Sequence, residues 1–259
     1  MKSEIKLVID GLFFKYSPNG IFSLQIENVH HNFDSALGIY GNSGTGKSTL
    51  GRIVADLIKP KSGEVKVEFL HNNGINGRSP SVIYSPQFPE RVFLGSQVAE
   101  TVDYIASMNR DRPDFKAELV ALLNSFSVSY PDIKDKGGHE MSGGELRRFA
   151  LCLVFAFHSD LLILDEPTIG LEGKGVNQLD SAIKRISQDR AVIIISHDIK
   201  LVENLCRKVW ILRDGRIIFN GSLDKVKTNP EVTKDSGLKY YKYLEKIVEE
   251  RKKTIFGSS

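Results

Sequence analysis

The chain has 259 residues, of which 41% are hydrophobic and 26% are charged, and its formal net charge at pH 7 is +3. This composition is ordinary for a globular chain, and no apolar run approaches the roughly 18 residues that a membrane-spanning helix needs. The charge is too small to favour a nucleic-acid partner, so none is expected. Cys152 and Cys206 lie in apolar contexts typical of helices, and we expect both to be reduced core residues.

In the first half of the chain, apolar and alternating runs predict short strands, and apolar residues at helical spacing predict helices. Strands are expected over residues 5–9, 22–26, 35–40, 63–70 and 81–85, a helix over 50–58, and a mostly helical stretch over 95–125. This order of elements predicts an α/β fold with antiparallel strands at its N-terminal end.

In the second half of the chain, strands and helices alternate, which is typical of a parallel sheet. A loop is expected over 135–140, helices over 144–157, 173–186 and 201–205, and strands over 161–164, 191–196, 209–212 and 217–219. Asp214 and Gly215 predict a hairpin between the last two strands. The tail over 225–253 is basic and has an apolar stripe at helical spacing, so it is expected to be helical.

Residues 41–49 form the most informative motif, a glycine-rich run between a predicted strand and a predicted helix. It matches the phosphate-binding P-loop, in which backbone N–H groups and a helix N-terminus surround phosphate oxygens. Lys47 is the cation expected at the β and γ phosphates, and the Ser48 hydroxyl is a candidate Mg²⁺ ligand. The expected nucleotide contacts in this loop are Gly41, Asn42, Ser43, Gly44, Thr45, Gly46, Lys47, Ser48 and Thr49.

Two acids follow the apolar run 161–164, which is typical of a buried strand. In open α/β sheets, ligands bind at the carboxyl ends of the strands. Asp165 is therefore a candidate for the Mg²⁺ shell, and Glu166 for the group that polarises an attacking water. The alternative is a solvated strand end that carries two ordinary acids.

Ser142, Gly143 and Gly144 precede another predicted helix. Ser142 is expected to cap this helix, with Glu145 completing a capping box. The two glycines also leave backbone N–H groups open to an anion. Because the chain already has one P-loop, a second phosphate-binding helix start suggests dimerisation, in which this helix contacts the γ-phosphate held by a partner's P-loop.

Over about residues 3–225 the chain resembles the ATPase subunits of ABC transporters. Residues 41–48 resemble the Walker A motif of that family, residues 161–166 its Walker B motif and residues 141–145 its signature motif. The resemblance implies a RecA-like P-loop NTPase core with an N-terminal antiparallel β-subdomain over residues 1–91 and 157–225. It also implies an inserted α-helical subdomain over 92–156 and a C-terminal helical extension for dimerisation over 226–259.

The same resemblance implies roles for single residues. Gln87 lies where the family has a glutamine that touches Mg²⁺ and senses the transmembrane partner, and His197 lies where it has a histidine near the γ-phosphate. Tyr16 lies where an aromatic ring stacks on adenine. The implied catalytic residues are Lys47, Gln87, Glu166 and His197, and the implied Mg²⁺ ligands are Ser48, Gln87 and Asp165.

Residues 87–102 resemble the ATPases of energy-coupling-factor (ECF) transporters, which carry a Pro-Glu pair after this glutamine. The resemblance implies an ATP-hydrolysing subunit at the cytoplasmic face of the cell membrane, in an importer for a vitamin or another micronutrient. Its implied partners are a second ATPase, a transmembrane coupling protein and, indirectly, a substrate-specificity membrane subunit. The coupling protein is expected to make contact near Phe88, Glu90 and Phe93, with one of its arginines paired to Glu90.

Two questions stay open from the sequence. Glu172 stands where the family usually has an aspartate at the dimer interface, which favours a heterodimer of two ATPases, although a homodimer is not excluded. The alternative function is that of a soluble ABC ATPase outside transport, for example in iron–sulfur cluster assembly. A hydrophobic membrane partner would separate the two functions.

Overall fold

The structure, a computed structural model, describes residues 4–70, 78–109 and 112–228. Its strands are β1 (Ile5–Phe14), β2 (Leu24–Ile26), β3 (Val29–Asn32), β4 (Ala36–Tyr40), β5 (Ser62–Phe69), β6 (Val82–Ser85), β7 (Leu161–Asp165), β8 (Ala191–Ser196), β9 (Cys206–Arg213) and β10 (Arg216–Ser222). Its helices are α1 (Lys47–Val54), α2 (Val98–Met108), α3 (Phe115–Ser125), α4 (Tyr130–Ile133), α5 (Gly143–Ala156), α6 (Lys174–Asp189), α7 (Ile199–Leu205) and α8 (Leu223–Thr228). Short 3₁₀ turns cover Pro89–Val92 and Gly138–Glu140.

The described residues fall into two compact units. The first unit contains residues 4–7, 31–34, 67–70, 78–109 and 112–194, and the second contains residues 8–30, 35–66 and 195–228. The phosphate loop therefore belongs to the second unit. The two acids at the C-terminal end of β7 and the two glycines that begin α5 belong to the first.

In the second unit, β4 pairs in parallel with β9, and Ile39 lies opposite Trp210. All residues of β4 are buried, as expected of a parallel strand that is covered on both faces. Helix α7 packs against both strands. β9 turns back into the antiparallel β10, and β1 pairs antiparallel with β2, so the predicted hairpin and the predicted antiparallel N-terminal strands are confirmed.

In the first unit, β6 pairs in parallel with β7, and Ile83 lies opposite Leu162. Helix α5 packs against α3, against β6 and against the 3₁₀ turn at Pro89–Val92. Aromatic contacts hold this packing together: the rings of Phe126 and Phe155 are 6.2 Å apart between centroids. A mixed α/β fold with parallel strand pairs is thus confirmed.

Several element boundaries differ from those predicted. Helix α1 ends at Val54 rather than near residue 58, because Asp56 takes a φ of 58°, in the left-handed region that ends a helix. β1 continues to Phe14, well past the predicted end at residue 9. β3 was not predicted, since its sequence, Val-His-His-Asn, lacks an apolar alternation.

The two cysteines are free and buried, as expected, and burial raises the pKa of both thiols. The predicted helical context is wrong for Cys206, which begins β9. None of the helices in the described ranges combines the length and apolar character that a membrane span requires. The domain boundaries remain a prediction, and residues 229–259 of the predicted C-terminal extension lie outside the described residues.

Candidate functional site

The phosphate loop joins β4 to α1, and its backbone conformation depends on glycine. Gly44 and Gly46 have φ values of 81° and 102°, which side chains disfavour. Gly46 is the N-cap of α1, and no side chain caps this helix. The first N–H groups of α1 are therefore suited to an anion, which the positive end of the helix dipole also favours.

Lys47 lies across this loop in a buried position. Its Nζ donates hydrogen bonds to the carbonyl oxygens of Gly41 and Asn42, at 2.8 and 2.9 Å. The Thr45 hydroxyl donates to the Asn42 carbonyl oxygen as well, at 2.9 Å. The ammonium group is thus held at the loop by backbone acceptors, which the oxygens of a bound phosphate can replace.

The β9–β10 hairpin contacts the phosphate loop, and β2 in turn contacts the hairpin. The Gly215 N–H donates to the Thr45 carbonyl oxygen at 3.2 Å, and the Gly215 carbonyl oxygen accepts from the Gln25 N–H at 2.8 Å. A Cβ at Gly215 would lie 1.9 Å from the Ser23 carbonyl oxygen. Only glycine allows this approach, so the hairpin supports the phosphate loop through a backbone contact.

Tyr16 lies beside the start of α1. Its hydroxyl and that of Thr49 are within hydrogen-bond distance, at 3.1 Å. The Phe14 ring packs edge-on against the Tyr16 ring, with centroids 4.8 Å apart. Because the Tyr16 residue is still 59% exposed, it retains surface on which a base can stack.

Both acids at the end of β7 are buried, which argues against a solvated strand end. The Tyr84 hydroxyl, from the neighbouring strand β6, donates to Asp165 Oδ2 at 2.5 Å. Glu166 takes a φ of 48°, uncommon for a residue with a side chain and frequent at functional sites. Tyr84 was not singled out from the sequence, because its partner is 81 positions away.

Glu90 is paired within the chain, which corrects the argument that it needs an arginine from a membrane protein. Arg147 of α5 donates through Nη1 to Glu90 Oε2 at 3.0 Å. Phe88 and Phe93, which were both expected to contact the coupling protein, also differ in their surroundings. Phe88 is exposed, whereas the Phe93 ring packs against that of Phe149, with centroids 6.2 Å apart.

The start of α5 has the predicted capping box. The Glu145 N–H donates to the Ser142 hydroxyl oxygen at 3.2 Å, and the Ser142 N–H donates to Glu145 Oε2 at 3.0 Å. A Cβ at Gly143 would meet nothing within 4 Å, and one at Gly144 would meet only the end of Arg148. Packing within this unit does not require these glycines, which leaves room for a ligand or a partner.

His197 directly follows β8 and is exposed. The next residue, Asp198, caps α7 by accepting a hydrogen bond from the Lys200 N–H at 2.9 Å. Burial is the larger cause of the raised pKa of Tyr40, and the negative charge of Asp198 also contributes to it. His197 thus lies in a short connection between a buried strand and a capped helix, and its role remains a prediction.

The residues predicted to bind Mg²⁺ include one carboxylate, Asp165, which the Tyr84 hydroxyl orients. Within the described ranges, no three His, Cys, Asp or Glu side chains cluster in a way that could hold a metal ion. A donor set with one carboxylate suits Mg²⁺, since this ion commonly takes its other ligands from water and from substrate phosphates.

Known proteins similar to this chain include members of one large family. The sequence profile of the ABC transporter family matches residues 25–169. The energy-coupling factor transporter ATP-binding protein EcfA2 of Thermotoga maritima is 31% identical over 215 residues, which cover 83% of this chain and 80% of that protein.

Two solved structures are similar as well. The structure of cbiO1 from Clostridium perfringens, part of the ABC transporter complex cbiONQ, has a TM-score of 0.67 and 27% identity, covering 90% of this chain and 94% of that chain. An ATP-binding subunit of an ABC transporter has a TM-score of 0.72 at 21% identity, covering 92% of this chain and 99% of that chain. The second similarity concerns the fold alone.

Proposed function

Because the chain belongs to the ABC transporter ATPase family, we propose that it is the ATP-hydrolysing subunit of an ECF importer for a vitamin or another micronutrient. Its membership makes the chain an ATPase that works with membrane components in a transporter. The ECF assignment is supported by the similarity to the Thermotoga maritima subunit and by the Pro89-Glu90 pair that follows Gln87. The observation that carries the ATPase function is the uncapped, glycine-rich start of α1 with Lys47 across it.

ATP binding uses the second unit. The N–H groups at the start of α1 and the loop over residues 41–46 surround the phosphates, and Lys47 moves from its backbone acceptors to phosphate oxygens. The remaining Tyr16 ring surface stacks on adenine. These interactions position the nucleotide, and positioning with charge stabilisation accounts for most of the catalysis in phosphoryl transfer.

Hydrolysis uses Glu166 to orient the attacking water and to accept its proton, with His197 acting near the γ-phosphate. Ser48, Gln87 and Asp165 are the residues that would hold Mg²⁺, which neutralises charge on the β and γ phosphates when it is bound. Burial of Asp165 and its hydrogen bond from Tyr84 restrict the carboxylate to one orientation.

The active form is a dimer of two ATPases. The Ser142 hydroxyl and the N–H groups of Gly143 and Gly144 contact the γ-phosphate bound by the partner, since neither glycine is required by packing in its own unit. Glu172 favours a related but different ATPase as that partner, and a homodimer remains open. The dimer sits peripherally at the cytoplasmic face of the membrane, on a transmembrane coupling protein that the substrate-specificity subunit joins.

Affinity purification of the tagged chain from detergent-solubilised native membranes, followed by mass spectrometry, tests this proposal. We expect a second ABC ATPase and an integral membrane protein in constant proportion to the bait, with further membrane proteins in smaller amounts. Recovery of soluble cluster-assembly proteins in place of membrane proteins would contradict the transport function and favour the non-transport alternative.

A further inference from the structure

Arg147 lies in the second turn of α5 and is only 3% exposed, although arginine is almost never fully buried unless it is paired. Burial lowers the pKa of its guanidinium, and the hydrogen bond with Glu90 opposes this shift. Arginine remains charged in proteins, so the fold keeps a cation in its interior at this point. Such a group is costly unless its donors are used.

The two terminal nitrogens of Arg147 donate to three residues in two segments of the first unit. Nη1 donates to the Gln87 carbonyl oxygen at 2.5 Å and to Glu90 Oε2 at 3.0 Å. Nη2 donates to the Glu166 carbonyl oxygen at 3.4 Å. The stem also approaches the segment after Glu166, where a Cβ at Gly170 would lie 3.9 Å from Arg147 Cγ.

The Glu166 contact involves a backbone in an unusual conformation. Glu166 has a φ of 48°, and its carbonyl oxygen accepts a second hydrogen bond, from the Ile169 N–H at 3.2 Å. A residue in this region of φ keeps its conformation only where its surroundings hold it. Arg147 is one of the groups that do so.

We propose that Arg147 is a positioning residue for ATP hydrolysis, which fixes the turns of Gln87 and Glu166 to helix α5. Because the backbone of Glu166 is held, its Cα–Cβ bond has a fixed direction, which limits the positions from which its carboxylate can reach the attacking water. Glu90 completes the arrangement by orienting the guanidinium from the side of the 3₁₀ turn. This inference rests on the proposed role of Glu166 in hydrolysis.

The chemistry requires arginine rather than any cation. The planar guanidinium presents its donors in a rigid fork, whereas a lysine ammonium is a compact charge on a flexible stem. Lysine at this position would keep the charge and part of the stem packing. It would lose the simultaneous contacts with Gln87, Glu90 and Glu166.

The test uses the ATPase in its purified complex with its native partners and compares Arg147→Lys with Arg190→Lys. Arg190 is a matched control, because its guanidinium also donates part-buried hydrogen bonds to two backbone carbonyl oxygens, those of Phe157 and Phe155, at 2.5 and 3.2 Å. Steady-state kinetics give kcat and KM for ATP, equilibrium titration with a fluorescent ATP analogue gives its Kd, and thermal melts give Tm.

We expect Arg147→Lys to lower kcat by about ten- to a hundredfold, since small misplacements of catalytic groups have effects of this order, while the analogue's Kd stays within about twofold. Arg190→Lys is expected to lower Tm without such a loss in kcat. Wild-type kcat in Arg147→Lys, or equal losses of kcat and Tm in the two variants, would overturn the inference.

Two further variants complete the design. Glu166→Gln is measured in parallel: if it hydrolyses ATP at the wild-type rate, the proposed function of Glu166 fails, independently of Arg147. Glu90→Ala removes both the charge and the acceptor oxygen that orient Arg147, so it serves if Arg147→Lys does not fold. A lowered kcat with unchanged nucleotide Kd in Glu90→Ala supports the inference, and wild-type kcat refutes it.

Discussion

At the scale of single residues, the carboxylate of Glu145 in the capping box of α5 is expected to make stability depend on pH. The hydroxyl and the N–H of Ser142 donate to it at 2.8 and 3.0 Å. These hydrogen bonds, that of the hydroxyl first, lower the pKa of Glu145 below its ordinary value of 4.5. A lowered pKa in the folded state means that the charged carboxylate stabilises the fold above the ordinary pKa. This contribution is lost as the pH falls through the lowered value.

We therefore expect Glu145→Gln to lower the midpoint of thermal unfolding at pH 7 by about 2 °C, a typical effect of a few tenths of a kcal/mol to 1 kcal/mol in a chain of this size. The difference should shrink as the pH falls through the lowered pKa of Glu145 and vanish below it, where the carboxyl group is protonated in both states and resembles the amide. Melting curves followed by circular dichroism across this range check the expectation. A difference that stays constant down to acidic pH would show that charge is not involved.

The motif residues could be identified from the sequence because each motif is local and its residue types follow from its chemistry. Ser142 illustrates this, since the capping box needs only residues three positions apart. Arg147 and Tyr84 could not be identified in this way. Their partners Glu90 and Asp165 are 57 and 81 positions away, so only the folded chain brings them together. Glu90 was consequently assigned a partner in another protein.

At the scale of elements, the β9–β10 hairpin acts on the phosphate loop through Gly215. This residue has a φ of 73°, and the Cβ of any other residue would collide with the Ser23 carbonyl oxygen, 1.9 Å away. Displacement of the hairpin would break the hydrogen bond from the Gly215 N–H to Thr45. The hairpin is therefore part of the support that holds the loop in shape for phosphate.

Gly215→Ala is expected to weaken ATP binding about tenfold, which corresponds to the loss of about one hydrogen bond to the loop. Gly11→Ala is the matched control, because Gly11 has a φ of 60° but its added Cβ would meet nothing within 4 Å. It shares the backbone strain without the collision, so its nucleotide affinity should remain close to that of the wild type. Titration with a fluorescent ATP analogue measures the affinity of each variant. Equal affinities in the two variants would show that the hairpin does not support the phosphate loop.

Elements with a clear apolar pattern could be predicted from the sequence. An element boundary that is set by the backbone conformation of one residue could not. β7 and β8 have continuous apolar runs, and their buried strands match the prediction to within one residue. The apolar spacing that predicts α1 continues past Val54, but the left-handed conformation of Asp56 ends the helix there. No periodic pattern reveals such a conformation in advance.

At the scale of the whole molecule, we propose that exposed apolar residues, rather than Glu90, form the surface that contacts a membrane partner. Phe88 and Leu94 are 40% and 51% exposed on either side of the 3₁₀ turn. Charge reversal at Glu90 would break its pair with Arg147, so it cannot test partner binding by itself. The apolar residues provide a cleaner test.

We expect the double variant Phe88→Ser and Leu94→Ser to recover at least tenfold less membrane partner in affinity purification, because truncating a residue that anchors an interface costs about 1 kcal/mol or more. Leu57→Ser is the control, since Leu57 is also exposed, at 61%, but lies beyond the C-terminal end of α1. Nucleotide affinity should be unchanged in both variants. Equal recovery of the partner from the double variant and the control would place the docking surface elsewhere.

We propose that this chain, as part of a transporter complex, hydrolyses ATP through Glu166. The most direct measurement compares steady-state ATP hydrolysis and retained nucleotide in the purified complex, for the wild type and for Glu166→Gln. The amide has nearly the same shape but cannot accept the proton, so turnover should fall at least about a hundredfold while ATP remains bound. Hydrolysis at the wild-type rate by the Glu166→Gln complex would contradict the account.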